Sequence, residues 1–231
     1  MPNLMRLEMK KYKLFSYIKG AIIANIIIAG LLVAMLFIAK VEGDLFLTNY
    51  AEAIAIIDTI VRATFIIFAA SLISKLIIGE FKNKTITTLF LYPINRKKLI
   101  TAKLAIVILF TFCSIILSNV FLTIVFSSVT NYFDLIPGTL SITMVTQHTP
   151  SMLMNAIAAS GMSLIPLYFG MKKYSASTTI ISSILIVMIV SSNSGNFTLN
   201  DIIIIPISLA IIGISIAYFA IRNIEKTDLK C

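Results

Sequence analysis

Residues 20–39 read GAIIANIIIAGLLVAMLFIA, an unbroken run without a single charged side chain. About 20 apolar residues wound as a helix are enough to cross a hydrocarbon core roughly 30 Å thick. In lipid a single segment must satisfy its own backbone N–H and C=O groups, which a helix does. The run exceeds the apolar core of a signal peptide, about 7–15 residues, so it is read as a retained span.

Outward from this segment the same texture recurs. IAIIDTIVRATFIIFAASLISKLII occupies 54–78, a third apolar run covers about 100–126, and a fourth covers 151–170. ASTTIISSILIVMIVSS at 176–192 is the shortest and is rich in serine, and IIIIPISLAIIGISIAYFAI at 202–221 closes the series. Apolar residues make up 58% of the chain and charged ones 13%, with a mean hydropathy of +0.99. So few charges could not solvate that much apolar surface in water. The expectation is an all-α membrane protein with six transmembrane helices, residues 1–231 forming a single transmembrane domain. Pro166 and Pro206 fall inside spans, where lipid-embedded helices tolerate proline better than soluble ones.

A formal charge of +9 would point to nucleic acid in a soluble protein. Here the cations lie between the spans, and their distribution follows the positive-inside rule instead. The N-terminal segment, the region 75–103, the pair Lys172 and Lys173, and the C-terminal tail together hold seventeen of the nineteen Lys and Arg residues. Lys40 falls on the opposite side with Glu42, Asp44, Glu52, Asp134 and Asp201, and Arg62 lies within the second span. Both termini are therefore expected in the cytoplasm, the protein in a bacterial plasma membrane, and the partner to be a lipid bilayer rather than nucleic acid. LMRLEMKKYKLFSYIKG (residues 4–20) can place Leu4, Leu7, Leu14, Phe15 and Ile18 on one helical face, with Lys11 intruding. A helix over 1–19 lying in the membrane interface fits that pattern, since lysine stems snorkel toward anionic headgroups. An ordinary basic flank fits it equally.

Catalytic equipment is sparse. None of the nine glycines forms a phosphate-binding loop, so the chain has no nucleotide cradle of its own. His148 reads as a residue of an outer loop beside Thr149 and Pro150. Cys113 in an apolar run and Cys231 at the C-terminus make no disulfide framework. Asp58 and Arg62 stand four apart in the second span and so share one helical face. Ionisable groups there face protein or water. They read either as an outer gate that a substrate passes or as a structural pair with Arg62 reaching outward, the second being favoured. Asn25 could line a path or hydrogen-bond between helices.

The segment GEFKNKTITTLFLYPINRKKLITAKL at 79–104 holds six of the nineteen Lys and Arg residues. It offers a short apolar stretch at Ile86, Leu89, Phe90 and Tyr92, stopped by Pro93, with Asn95 placed to cap a helix that starts at Arg96. A turn needs far fewer residues, and connections this long tend to be functional. A short helix here could seat in a partner's groove.

With its acidic residue, Thr, apolar residues, Pro, Arg and following Lys, this segment resembles the permease subunits of type-2 ATP-binding-cassette exporters. The bacitracin-resistance and lantibiotic-immunity permeases are the nearest likeness, through this loop and the ending AIRNIEKTDLK. The resemblance implies no catalytic residue and no cofactor on this chain, ATP and Mg being held by separate ATPase subunits. It implies a second permease copy or a sister permease as a further partner. It assigns coupling to the ATPase to the loop 79–99, through Glu80, Phe81, Thr85, Leu89, Tyr92, Pro93 and Arg96, and to GMKKYS at 170–175, with Lys172 and Lys173. Two departures stand out: Lys84 replaces a common glycine, and the connection NSGNFTLND between the last two spans is short. The function implied is export of an amphipathic or peptide antimicrobial. An ion-coupled secondary transporter remains an alternative, as does a non-transporting sensor or scaffold subunit. The first would need more intramembrane carboxylates than Asp58 provides.

Overall fold

The computed structural model describes residues 2–12, 15–42, 50–83, 96–133, 142–191, 193–194, 197–198 and 204–227. The helices are α1 (Pro2–Lys11), α2 (Phe15–Glu42), α3 (Tyr50–Ile73), α4 (Gly79–Lys82), α5 (Arg96–Phe133), α6 (Ile142–Met162), α7 (Pro166–Lys173), α8 (Ala176–Val190) and α9 (Ile204–Thr227). A π segment, Ser74–Ile78, joins α3 to α4 without a break. Among the described residues the exception to helix is a two-residue antiparallel ladder, Asn193–Ser194 (β1) against Phe197–Thr198 (β2).

The expectation of a helical membrane protein holds. Among the described residues four stretches are long and apolar enough to cross a membrane: Phe15–Ile38, Glu52–Lys82, Lys97–Phe133 and Thr146–Lys173. Ala176–Val190 and Pro206–Arg222 are apolar but shorter. Several helices outrun the apolar runs that announced them. α5 has 38 residues, about 57 Å at 1.5 Å per residue, because the polar turns RKKL and SSVTNYF carry no helix breaker. His148, expected in a loop, lies inside α6, which continues through Pro150. Within 1–19, Pro2–Lys11 form α1 and the residues from Phe15 onward belong to α2.

Contacts divide the chain into two compact units: residues 1–14, 65–112 and 157–231 in one, and 15–64 and 113–156 in the other. In the first, small residues let backbones meet, as in helix pairs generally in membranes. A Cβ added at Gly213 of α9 would lie 2.1 Å from the Gly161 carbonyl oxygen of α6. One added at Gly170 of α7 would lie 2.2 Å from Thr179 Oγ1 of α8 and 2.9 Å from Ile78 Cδ1. Around the first crossing pack Ala158, Met162, Ile165 and Val190, with Leu209 and Ile216. Pro166 offers no N–H, and the α6–α7 junction tightens to three-residue steps, Leu164 N–H to Gly161 O at 3.1 Å and Ile165 N–H to Met162 O at 3.0 Å.

In the second unit α2 is apolar all round. It buries Ala21, Ile28, Leu32 and Leu36 and leaves Ile22, Ile23, Ile26, Ile27 and Leu31 exposed. Such a helix fits a lipid surround, not water. Lys40 donates to the Phe133 carbonyl at 3.0 Å, Phe37 meets the Phe133 ring edge-on at 5.1 Å, and Tyr50 reaches Thr130 and Asn131 at 3.3 and 3.1 Å.

Candidate functional site

The first unit contains a cluster of charges built around Glu80. The π segment precedes it, with the Gly79 N–H reaching back five residues to Ser74 O. Such segments recur at functional sites. Where a ladder changes from four-residue to five-residue steps, one carbonyl loses its usual N–H. Lys103 Nζ, from the second turn of α5, donates to Leu76 O at 3.0 Å. The same ammonium donates to Glu80 Oε2 and lies 3.6 Å from Glu8 Oε2. Lys103 is 1% exposed and Glu80 and Glu8 are 5%. The 3.6 Å approach is a charge contact longer than a hydrogen bond, and Glu8 Oε2 accepts none.

The other Glu80 oxygen takes two donors from the N-terminus. Lys11 Nζ approaches to 2.8 Å and the Tyr12 hydroxyl donates to the same Oε1. Lys11 and Lys103 also stand 5.0 and 5.4 Å from the centre of the Tyr12 ring, within cation–π range. Burial, and then the hydrogen bond and charge of Glu80, push the Tyr12 hydroxyl well above the ordinary phenol range. It therefore stays a donor. Two carboxylates face two ammonium groups, so the cluster is neutral, which is how buried charge is tolerated.

The residue after Glu80 faces a second predicted contact. The Phe81 ring lies 6.0 Å from that of Tyr174, the residue that ends α7 with a φ of 45°. That left-handed position usually falls to glycine or asparagine. Lys172 and Lys173 stand exposed in the last turn of α7, where cations complement the helix dipole. Thus Glu80 and Phe81 of the loop and the 170–175 turn belong to one neighbourhood. Arg96 is the first residue of α5, and Thr85, Leu89, Tyr92 and Pro93 lie outside the described residues.

A second polar cluster belongs to the other unit. Arg62 Nε pairs with Asp58 Oδ2 at 3.1 Å and with the Asp58 carbonyl at 3.2 Å. Asn119 of α5 and Asn155 of α6 each donate to an Asp58 oxygen at 2.9 Å. Asp58 and Arg62 are both buried, and Arg62 Nη2 also donates to Thr59 Oγ1 at 3.3 Å. Asn25 Nδ2 donates to Ser118 Oγ at 2.8 Å, which joins α2 to α5, and its Oδ1 accepts no hydrogen bond.

The sequence places Lys103 and Lys11 among the cations expected on the cytoplasmic side, Lys11 on a face of the N-terminal segment, and singles out Glu8 for nothing. Lys103 carried a usable signal, an ammonium one turn inside an apolar run. Nothing linear marks Lys11, Tyr12 and Glu8 as its neighbours, since they lie about seventy residues from Glu80. Asn119 and Asn155 were likewise passed over.

No solved structure matches the chain. The uncharacterized protein YcbO of Bacillus subtilis (strain 168) is 45% identical over 226 residues, covering 98% of this chain and 99% of that one. Residues 4–189 match the family described as ABC-2 family transporter protein. That match takes in the N-terminal helix, the Glu80 cluster, the Asp58 cluster and the 170–175 turn. The chain belongs to the ABC-2 family of transporter proteins.

Proposed function

We propose that this chain is the membrane-spanning permease subunit of an ATP-driven exporter. In this reading it spans the bilayer six times, with both termini in the cytoplasm, and pairs with a second permease copy or a sister permease. ATP and Mg are held by separate ATPase subunits. Binding and hydrolysis there push on the cytoplasmic loop 79–99 and the 170–175 turn, and the push passes into the helices. The observation that carries the reading is the neighbourhood of Glu80, Phe81 and Tyr174. Two stretches far apart in sequence, both on the side rich in cations, meet at the ends of apolar helices, with a buried charge cluster behind them. An ion pair buried with its hydrogen bonds made is stiff, because pulling one partner away strands the other. Force on Phe81 would thus reach α1 and α5 together.

The cargo in this reading is an amphipathic compound, and a peptide antimicrobial fits best. The spans are nearly all apolar and many of their apolar side chains are exposed, which suits a molecule drawn from the membrane. Resistance or self-immunity of the bacitracin or lantibiotic type would follow. An ion-coupled transporter is disfavoured, because the Asp58 carboxylate already holds Arg62, Asn119 and Asn155.

The test is co-expression with a cognate ATPase, reconstitution in lipid, and ATP hydrolysis by wild type and by Phe81→Ala with Lys172→Glu and Lys173→Glu. These positions are half-buried or exposed, so the variant should fold. Copurification with hydrolysis reduced in the variant supports the reading. A stable chain that recruits no ATPase overturns it.

A further inference from the structure

The charges of α1 are sorted by direction. Its acidic residue, Glu8, is turned inward onto Lys103, while Arg6, Lys10 and Lys11 are exposed together with Leu7 and Met9. At 100° per residue these five fall on one continuous arc of the helix. That arc has cations and apolar side chains and no acid, the composition of a helix face that lies in an anionic lipid surface. One of these cations does double service. Lys11, half exposed, is the outer of the two ammonium groups on Glu80, while Lys103 is the sealed one. With its lysine half exposed, this pair is weaker than the sealed one, and lipid phosphate attracts a surface lysine with comparable strength.

We propose that α1 docks on anionic phospholipid through Arg6, Lys10 and Leu7, and that lipid phosphate draws Lys11 away from Glu80. The charge of the leaflet then sets how firmly α1 holds the segment Gly79–Lys82. Lys103 keeps Glu80 paired in either state, so the switch does not leave a bare buried carboxylate. The proposal needs α1 at the membrane surface and does not depend on an ATPase.

The test uses the full chain in nanodiscs of phosphatidylcholine alone or with phosphatidylglycerol. A fluorophore on Leu7→Cys, in a Cys113→Ser, Cys231→Ser background, reports depth by quenching from nitroxide-labelled lipid. Hydrogen exchange reports on residues 79–83. Phosphatidylglycerol should increase quenching, and Arg6→Glu with Lys10→Glu should remove the increase. It should also speed exchange at 79–83 in wild type and leave Lys11→Gln, already released, unaffected. Equal quenching in the two discs, or exchange that ignores lipid charge in wild type, overturns the proposal. Unchanged thermal unfolding of the charge-reversed variant would show that the buried cluster is intact. Because no ATPase is present, failure here leaves the permease reading standing, and loss of ATPase recruitment leaves this one standing.

Discussion

Lys103 shows how one residue decides a neighbourhood. It is the most enclosed charge of the Glu80 cluster, and it serves Glu80, Glu8 and the Leu76 carbonyl at once. Lys103→Met should cost about 3–5 kcal/mol, because both carboxylates stay buried with their main cation gone. Glu80→Gln combined with Lys103→Gln should recover part of that loss, since Glu80 then carries no stranded charge and only Glu8 does. Thermal unfolding in detergent of the single and double variants checks this, and equal loss in both would contradict it. Tyr12 gives a second prediction. Its hydroxyl is raised by burial and by Glu80, so the fold favours the neutral phenol. The stability this contributes is complete below the ordinary tyrosine value of about 10 and is lost only as pH rises through the folded value. Near-ultraviolet titration at about pH 11 should therefore give the same tyrosinate signal in wild type and Tyr12→Phe. A larger signal in wild type would mean that Tyr12 ionises with the others.

Among elements, the crossings α6–α9 and α7–α8 are limited by glycine in two different ways. At Gly213 an added methyl would strike a backbone carbonyl, and at Gly170 it would meet side-chain atoms. Gly170→Ala should cost about 1–3 kcal/mol, the range for overpacking, and Thr179→Ala should relieve part of it by removing the nearer atom. Gly213→Ala should find no side-chain rescue of that kind. Melting temperatures of the two singles and of the Gly170/Thr179 double variant separate these cases. The helices themselves were legible because apolar length is a strong signal, and α8, Ala176–Val190 against a run of 176–192, could be drawn nearly to the residue. Ends that run past the apolar run were not, since RKKL and SSVTNYF are neutral about continuing a helix. The π segment was invisible too, because SKLII differs in no obvious way from its surroundings.

For the whole molecule, the separation of charge gives the prediction on topology. Cysteines placed at Asn83 and Lys173, in a chain freed of Cys113 and Cys231, should react with an impermeant maleimide only after the membrane is opened. One at Tyr132, which is 82% exposed, should react from outside in intact cells. Labelling of all three from the same side would refute the assigned orientation. The membrane class could be read from composition and from the apolar runs. The clusters could not, because Lys11 and Glu80, or Asp58 and Asn155, meet across separations that carry no periodic trace. The π segment has one more consequence, for how this chain can change length. A five-residue step is an ordinary turn with one residue inserted, and the helix on either side keeps its facing. Deleting a residue within 74–78 would let the ladder close into regular α-helix and leave Glu80 aimed at Lys103, whereas a deletion elsewhere in 50–82 would turn everything beyond it by about 100°. What such a shortened chain would alter is the setting of the Leu76 carbonyl, to which Lys103 donates. The longest continuous helical stretch before the loop thus has one place where evolution can add or remove a residue without redirecting the rest.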